Sequence, residues 1–112
     1  MEIKARNYHL RKESGSWLGQ VVLTTDGAFM SITDYGNFCF AWRSTGVEDF
    51  RKFIVTLDEQ YFTNKMVQGI GFIAYGKNAQ DSAEMFAKKI LPALKAAILE
   101  ELESELIQSK EA

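Results

Sequence analysis

The sequence predicts an α+β fold: an antiparallel β-meander of three to five strands near the N-terminus, packed on one face by helices, with a long C-terminal helix. Three observations predict it. Between residues 17 and 43, short runs of β-branched and aromatic residues alternate with small or polar ones. Clusters of turn residues, Asp26-Gly27 and Asp34-Tyr35-Gly36-Asn37, separate those runs. Beyond Thr45 the apolar period lengthens to that of a helix.

Residues 3–10 form a first strand of weak alternation, and residues 17–25 a second, in which Val21, Val22, Leu23, Thr24 and Thr25 favour a pleated surface. Asp26-Gly27 reads as a hairpin turn, because both residues tolerate a positive φ. The next strand, Ala28 to Thr33, puts Ala28, Met30 and Ile32 on one face and Phe29, Ser31 and Thr33 on the other. A fourth strand runs from Phe38 to Arg43, with Phe38, Phe40 and Trp42 alternating with Cys39, Ala41 and Arg43.

Thr45-Gly46-Val47-Glu48 has the spacing of a capping box and predicts a helix carrying Val47, Phe50, Ile54 and Leu57, with Phe53 beside them. Asp58 predicts the cap of a second helix through Met66, which Gly69 and Gly71 end; Ile70 to Tyr75 reads as a short strand. Asp81-Ser82-Ala83-Glu84 is a second capping-box pattern. The helix it opens, through Ser109, carries Ala83, Phe86, Ala87, Ile90, Leu94, Ala97 and Ile98 on one face, extended by Leu102 and Leu106. Pro92 predicts a kink or break, since it removes an amide and crowds the carbonyl of Lys88. Uninterrupted, this helix spans about 42 Å, far more than the radius of gyration of about 13 Å of such a domain. The expectation is therefore one domain, 1–112, with 93–112 projecting as an oligomerisation helix on the stripe Leu94, Ile98, Leu102 and Leu106, most simply in a homodimer; the competing expectation is that Pro92 turns the helix back onto its own sheet.

Composition narrows the function classes. At 112 residues, 46% of them hydrophobic, the chain can bury a proper core as one domain. The net charge of −2 lacks the basic excess of a duplex-binding protein, so nucleic acid is the less favoured partner. One Cys and one His cannot furnish a structural zinc shell, and no metal or cofactor is expected. Cys39 reads as a small core residue and His9 as a partly exposed strand residue. No signal peptide opens the chain, and no run approaches the roughly 18 apolar residues of a membrane span, so no membrane partner and a cytoplasmic setting are expected.

No nucleotide loop or nucleophile elbow is present; Gly69-Ile70-Gly71 is too short for a dinucleotide fingerprint. Glu100, Glu101, Glu103 and Glu105 crowd a helix, where a solvated face is the ordinary explanation. With no catalytic constellation, the favoured reading is of a non-enzymatic protein; an enzyme whose carboxylates, such as Asp34, Asp49 and Asp58, are brought together by the fold is a further alternative. The richest segment for binding is Asp34 to Arg43, because Trp and Arg are favoured interface anchors. Phe38, Phe40 and Trp42 are nevertheless more in keeping with a core, and Asp34 and Asn37 with turn stabilisation. Candidate binding residues are Tyr35, Asn37, Trp42, Arg43 and Arg51.

The stretch from Thr33 to Lys65 resembles small proteins encoded by bacteriophages and prophages. The residues that carry the resemblance are the turn Asp34-Tyr35-Gly36-Asn37, Trp42-Arg43, Gly46, Asp49-Phe50-Arg51-Lys52-Phe53 and Asp58-Glu59-Gln60-Tyr61-Phe62 with Lys65. It implies a phage or prophage accessory protein in a bacterial host cytoplasm. It carries no activity or catalytic assignment with it. The leading expectation is binding to a host or phage protein; the alternative is a nucleic-acid-binding accessory protein, if Lys4, Arg6, Arg11, Lys12, Arg43, Arg51 and Lys52 form one patch.

Overall fold

In a computed structural model, which describes residues 2–70 and 77–111, four strands precede three helices. The strands β1 (Ala5–Arg11), β2 (Trp17–Thr24), β3 (Ala28–Thr33) and β4 (Cys39–Ala41) form an antiparallel sheet in the order β1-β2-β3-β4. The helices are α1 (Phe50–Ile54), α2 (Glu59–Ile70) and α3 (Lys77–Glu111). They cover one face of the sheet. Val21, Leu23, Phe29, Ile54, Phe62, Met66, Phe86, Ile90, Leu94 and Ile98 make a fully buried core between the layers. The α+β class and the meander are as the alternation predicts.

The β2–β3 hairpin lies where Asp26-Gly27 places it, but the loop is longer than a two-residue turn. Gly27 N–H donates to Thr24 O at 3.1 Å, and Gly27 alone in the loop has a positive φ, of 97°. A turn closed by a left-handed glycine is the common three-residue hairpin geometry. In β2 the register slips: Gly19 pairs with Leu10 and Trp17 with Arg11, so Leu18 is an extra residue. The bulge turns Leu18 into the core and leaves Trp17 exposed.

Each of the three helices has boundaries that differ from expectation, α1 ending at Ile54 before Leu57 and α3 at Glu111 past Ser109. Helix α1 does not begin at Thr45, because Gly46 takes a φ of 73°, outside the helical region. Thr45 instead closes a local turn, its hydroxyl accepting from Val47 N–H at 3.1 Å. Asp49 is the N-cap, accepting from Arg51 N–H at 3.0 Å. Asp58 caps α2 as expected, accepting from Tyr61 N–H at 2.7 Å, but the helix runs past Met66 to Ile70. It passes through Gly69, where a Cβ would stand 1.9 Å from Cys39 O; the missing side chain lets α2 lie directly on β4. Helix α3 starts at Lys77, so the expected cap Asp81 is interior, and Glu84 accepts from Gln80 Nε2 at 3.0 Å rather than reaching back to a cap. The strand expected over Ile70–Tyr75 has Ile70 as the last residue of α2; residues 71–75, and with them Gly71, lie outside the described residues.

Pro92 does not end α3, which runs through it and is 35 residues long in all. Both Pro92 and Lys88 face solvent, so the carbonyl that loses its amide partner lies on the watered side of the helix. At 1.5 Å per residue the helix is about 52 Å long, and the longest dimension of the molecule is also 52 Å. The core stripe runs as expected from Ala83 through Ile98. It then weakens: Leu102 is half-buried and Leu106 exposed.

Candidate functional site

The binding residues expected from sequence do not meet at one place. Tyr35 is half-buried at the β3–β4 turn, with Lys89 Nζ 6.0 Å from its ring centre. Asn37 braces the same turn, accepting from Thr33 N–H at 3.3 Å. At the other end of β4, Trp42 is buried and donates its indole N–H to Tyr61 Oη at 3.1 Å, while packing on Phe40, Phe50 and Phe53. Arg43 next to it is exposed. Trp42 therefore serves the core, as same-face strand aromatics usually do.

Arg51 is 5% exposed and is held entirely from within. Its Nε and Nη2 grip Asp49 at 3.1 and 2.8 Å. Its Nη1 and Nη2 grip Glu105 at 2.6 and 3.0 Å, and Nη1 also meets Glu101 at 2.8 Å. All the guanidinium N–H donors are thus used, in two forked pairs and one single bond. Arg6 adds a second cation, 3.7 Å from Glu101 and 3.6 Å from Glu105. Tyr8 Oη donates to Glu101 at 2.6 Å. Sequence reasoning placed these glutamates on a solvated face. A signal was present: Glu101 and Glu105 sit one turn apart, and Ala97, Ile98, Gln108 and Ser109 leave no cation at helical spacing. They need one from elsewhere in the fold.

The cluster sets the ionisation of its members. Hydrogen bonds from Arg51 hold the Asp49 and Glu105 carboxyls below their ordinary values. Burial, reinforced by Glu101, pushes the Tyr8 phenol upward, so it stays a neutral donor. Carboxylates with depressed folded values stabilise above their unfolded values of 3.8 and 4.5, and that contribution is lost as the pH falls through the lower folded values. The expected result is a melting temperature that the cluster leaves flat from about pH 8 to pH 5 and that drops below about pH 4. A Glu105→Gln variant should show a shallower acid drop in a pH series of thermal melts; an identical drop would mean the pair contributes nothing.

The second feature is the sheet face turned away from the helices. Directly paired residues share a face. Asn7, Val22, Met30 and Cys39 thus form one row across the four strands, and His9, Gln20 and Ile32 a second. Trp17 is 41%, Met30 43% and Ile32 61% exposed. Cys39, expected in the core, is exposed here because its neighbours Phe38 and Phe40 take the inward positions. Among the described residues nothing covers this face.

A family profile described as a phage family matches residues 1–111. The chain belongs to this phage family. The match extends well beyond the Thr33–Lys65 stretch that carries the resemblance. No curated protein and no solved structure matches the chain. No helix among the described residues is long and apolar enough to cross a membrane.

Proposed function

We propose that this phage-family protein acts in the bacterial cytoplasm as a non-enzymatic accessory protein that binds another protein, of phage or host origin. The observation that carries the reading is the uncovered sheet face with Trp17, Met30 and Ile32 exposed on it. Met and Trp are enriched where proteins meet, and the apolar side chains Trp17, Met30 and Ile32 on this otherwise mixed face are where a partner gains most by excluding water. Four strands about 4.8 Å apart and roughly 20 Å long offer about 400 Å². That is about half of what each side of a standard complex contributes. The partner therefore binds transiently or wraps onto neighbouring surface.

The nucleic-acid alternative draws less support. Arg6 and Arg51 face carboxylates, Lys12 Nζ is 3.8 Å from Asp34, and Arg11 donates to Gly15 O. Arg6, Lys12 and Arg51 thus offer phosphates little unpaired charge. Self-association draws on a shorter stripe than the sequence suggests. Leu94 and Ile98 are fully buried against their own chain and have no surface to give to a second copy. The homodimer proposal rests instead on Leu99, Leu106, at 57% exposed, and Ile107, at 50%.

Affinity capture from phage-carrying cells, with and without nuclease, tests these readings together. The expected result is a protein that survives nuclease and is lost from a folded Met30→Glu, Ile32→Glu variant. Capture that disappears with nuclease would favour nucleic acid, and a partner kept by the variant would remove the sheet face as the site. Light scattering on the intact chain and on Leu106→Glu, Ile107→Glu decides the dimer: a monomer at tens of micromolar ends it.

A further inference from the structure

We propose that the last turns of α3, from Leu99 to Glu111, are a conditional helix: they stay folded and docked only while Arg51 clamps them. Burial in α3 stops at Ile98; beyond it only Leu102 packs against the core, and only partly. Among the described residues, every hydrogen bond and ion pair that ties this stretch to another element runs through Glu101 or Glu105. The partners are Arg51 at the start of α1 and Arg6 and Tyr8 on β1. The remaining carboxylate in the group, Asp49, orients the guanidinium from its other side.

The segment's own sequence works against a helix. Glu101 and Glu105 are like charges at i, i+4, which repel on a helix surface. In the last turn Glu111 stands at the negative end of the helix dipole, and Lys110 alone supplies a cation there. A helix end without core contacts gains little from neighbouring turns. Arg51 reverses the balance, because its fork sits between the two glutamates and turns their repulsion into shared attraction. Loss of the clamp leaves Leu102 and Tyr8 with less cover and opens the groove that Asn7 and Tyr8 form with Ala97, Glu101, Ser104 and Gln108. The clamp is thus an order–disorder switch on one edge of the domain, responsive to anything that neutralises the glutamates or occupies the guanidinium.

Hydrogen exchange by mass spectrometry on the full chain at neutral pH reads the switch directly. In Arg51→Met, amides of residues 100–111 should exchange at least about tenfold faster, while those of β2, β3 and residues 86–98 keep their protection. Arg51→Lys retains a charge but not the fork; it should loosen the same residues and serves if Arg51→Met fails to fold. Adding Glu101→Gln and Glu105→Gln to Arg51→Met should restore part of the protection by removing the repulsion. Unchanged exchange over residues 100–111 in both Arg51 variants would overturn the proposal. So would a parallel loss across the core and the terminal turns in both, since the clamp would then belong to the domain's single cooperative unit.

Discussion

Phe86→Ala is expected to cost about 3–5 kcal/mol of stability and to lower the melting temperature by roughly 15 °C. Phe86 is fully buried on α3, and its ring meets three aromatics, two from the sheet side and one from α2. Phe38, just before β4, is 4.4 Å away between ring centres, Phe62 on α2 is 6.0 Å away and stacked, and Phe29 on β3 is 6.2 Å away and edge-on. Phe29 and Phe62 close the set at 5.5 Å. Removing the central ring leaves a cavity walled by β3, α2 and the segment just before β4, so none can collapse into it without pulling another out of place. Denaturant unfolding should show a lower midpoint at an unchanged slope. A loss below about 1 kcal/mol would mean that this aromatic set does not join the sheet to the helices.

Those four phenylalanines show what was legible in the sequence. Phe29 alternates with Met30 and Phe38 with Cys39, so the strand period puts each ring on the opposite face from that neighbour. Phe86 falls on the predicted stripe of α3, whereas Phe62 is legible only as part of the helix that Asp58 caps. Local periodicity sorts the residues of an element onto two faces; the core takes the face with the phenylalanine rings, while Met30 and Ile32 stay outside. Features set by one residue against a distant one were not legible. Arg51 finds Glu101 and Glu105 more than forty positions along the chain, and nothing in the local pattern around Asp49-Phe50-Arg51 marks that pairing. The candidate binding residue becomes an internal clamp for the same reason. Trp17 is exposed because of a one-residue bulge, which depends on how β1 and β2 align and not on either strand alone. Pro92 is tolerated because it falls on the solvent side of α3, a fact of docking and not of propensity. The exposed sheet face could be anticipated only in part: Met30 and Ile32 were placed on one face, but which face the helices would cover depended on the whole assembly.

Gly27→Val is the second large effect expected, at about 3 kcal/mol or more. Two causes add. Gly27 holds a φ of 97°, and a left-handed backbone costs an ordinary residue about 1–2 kcal/mol, with β-branched residues worse off. The second cause is contact: a Cβ here would stand 2.1 Å from Trp42 O. That carbonyl cannot retreat easily. Gly27 O accepts from Trp42 N–H at 2.8 Å, so the two backbones are already bonded. The Trp42 side chain is fixed by Tyr61 and by the rings of Phe40, Phe50 and Phe53. Relieving the clash means breaking a backbone hydrogen bond worth about 1 kcal/mol and moving β4 away from the hairpin. Gly15 supplies the control, because it has a similar φ of 91° with nothing within 4 Å of its Cβ position. Gly15→Ala should therefore cost only the backbone part, about 1–2 kcal/mol, and Gly27→Ala distinctly more. Equal losses in the two alanine variants, measured by thermal melts of the purified proteins, would show that the β2–β3 loop does not press on Trp42 and that the hairpin and β4 are joined more loosely than their backbone contact implies.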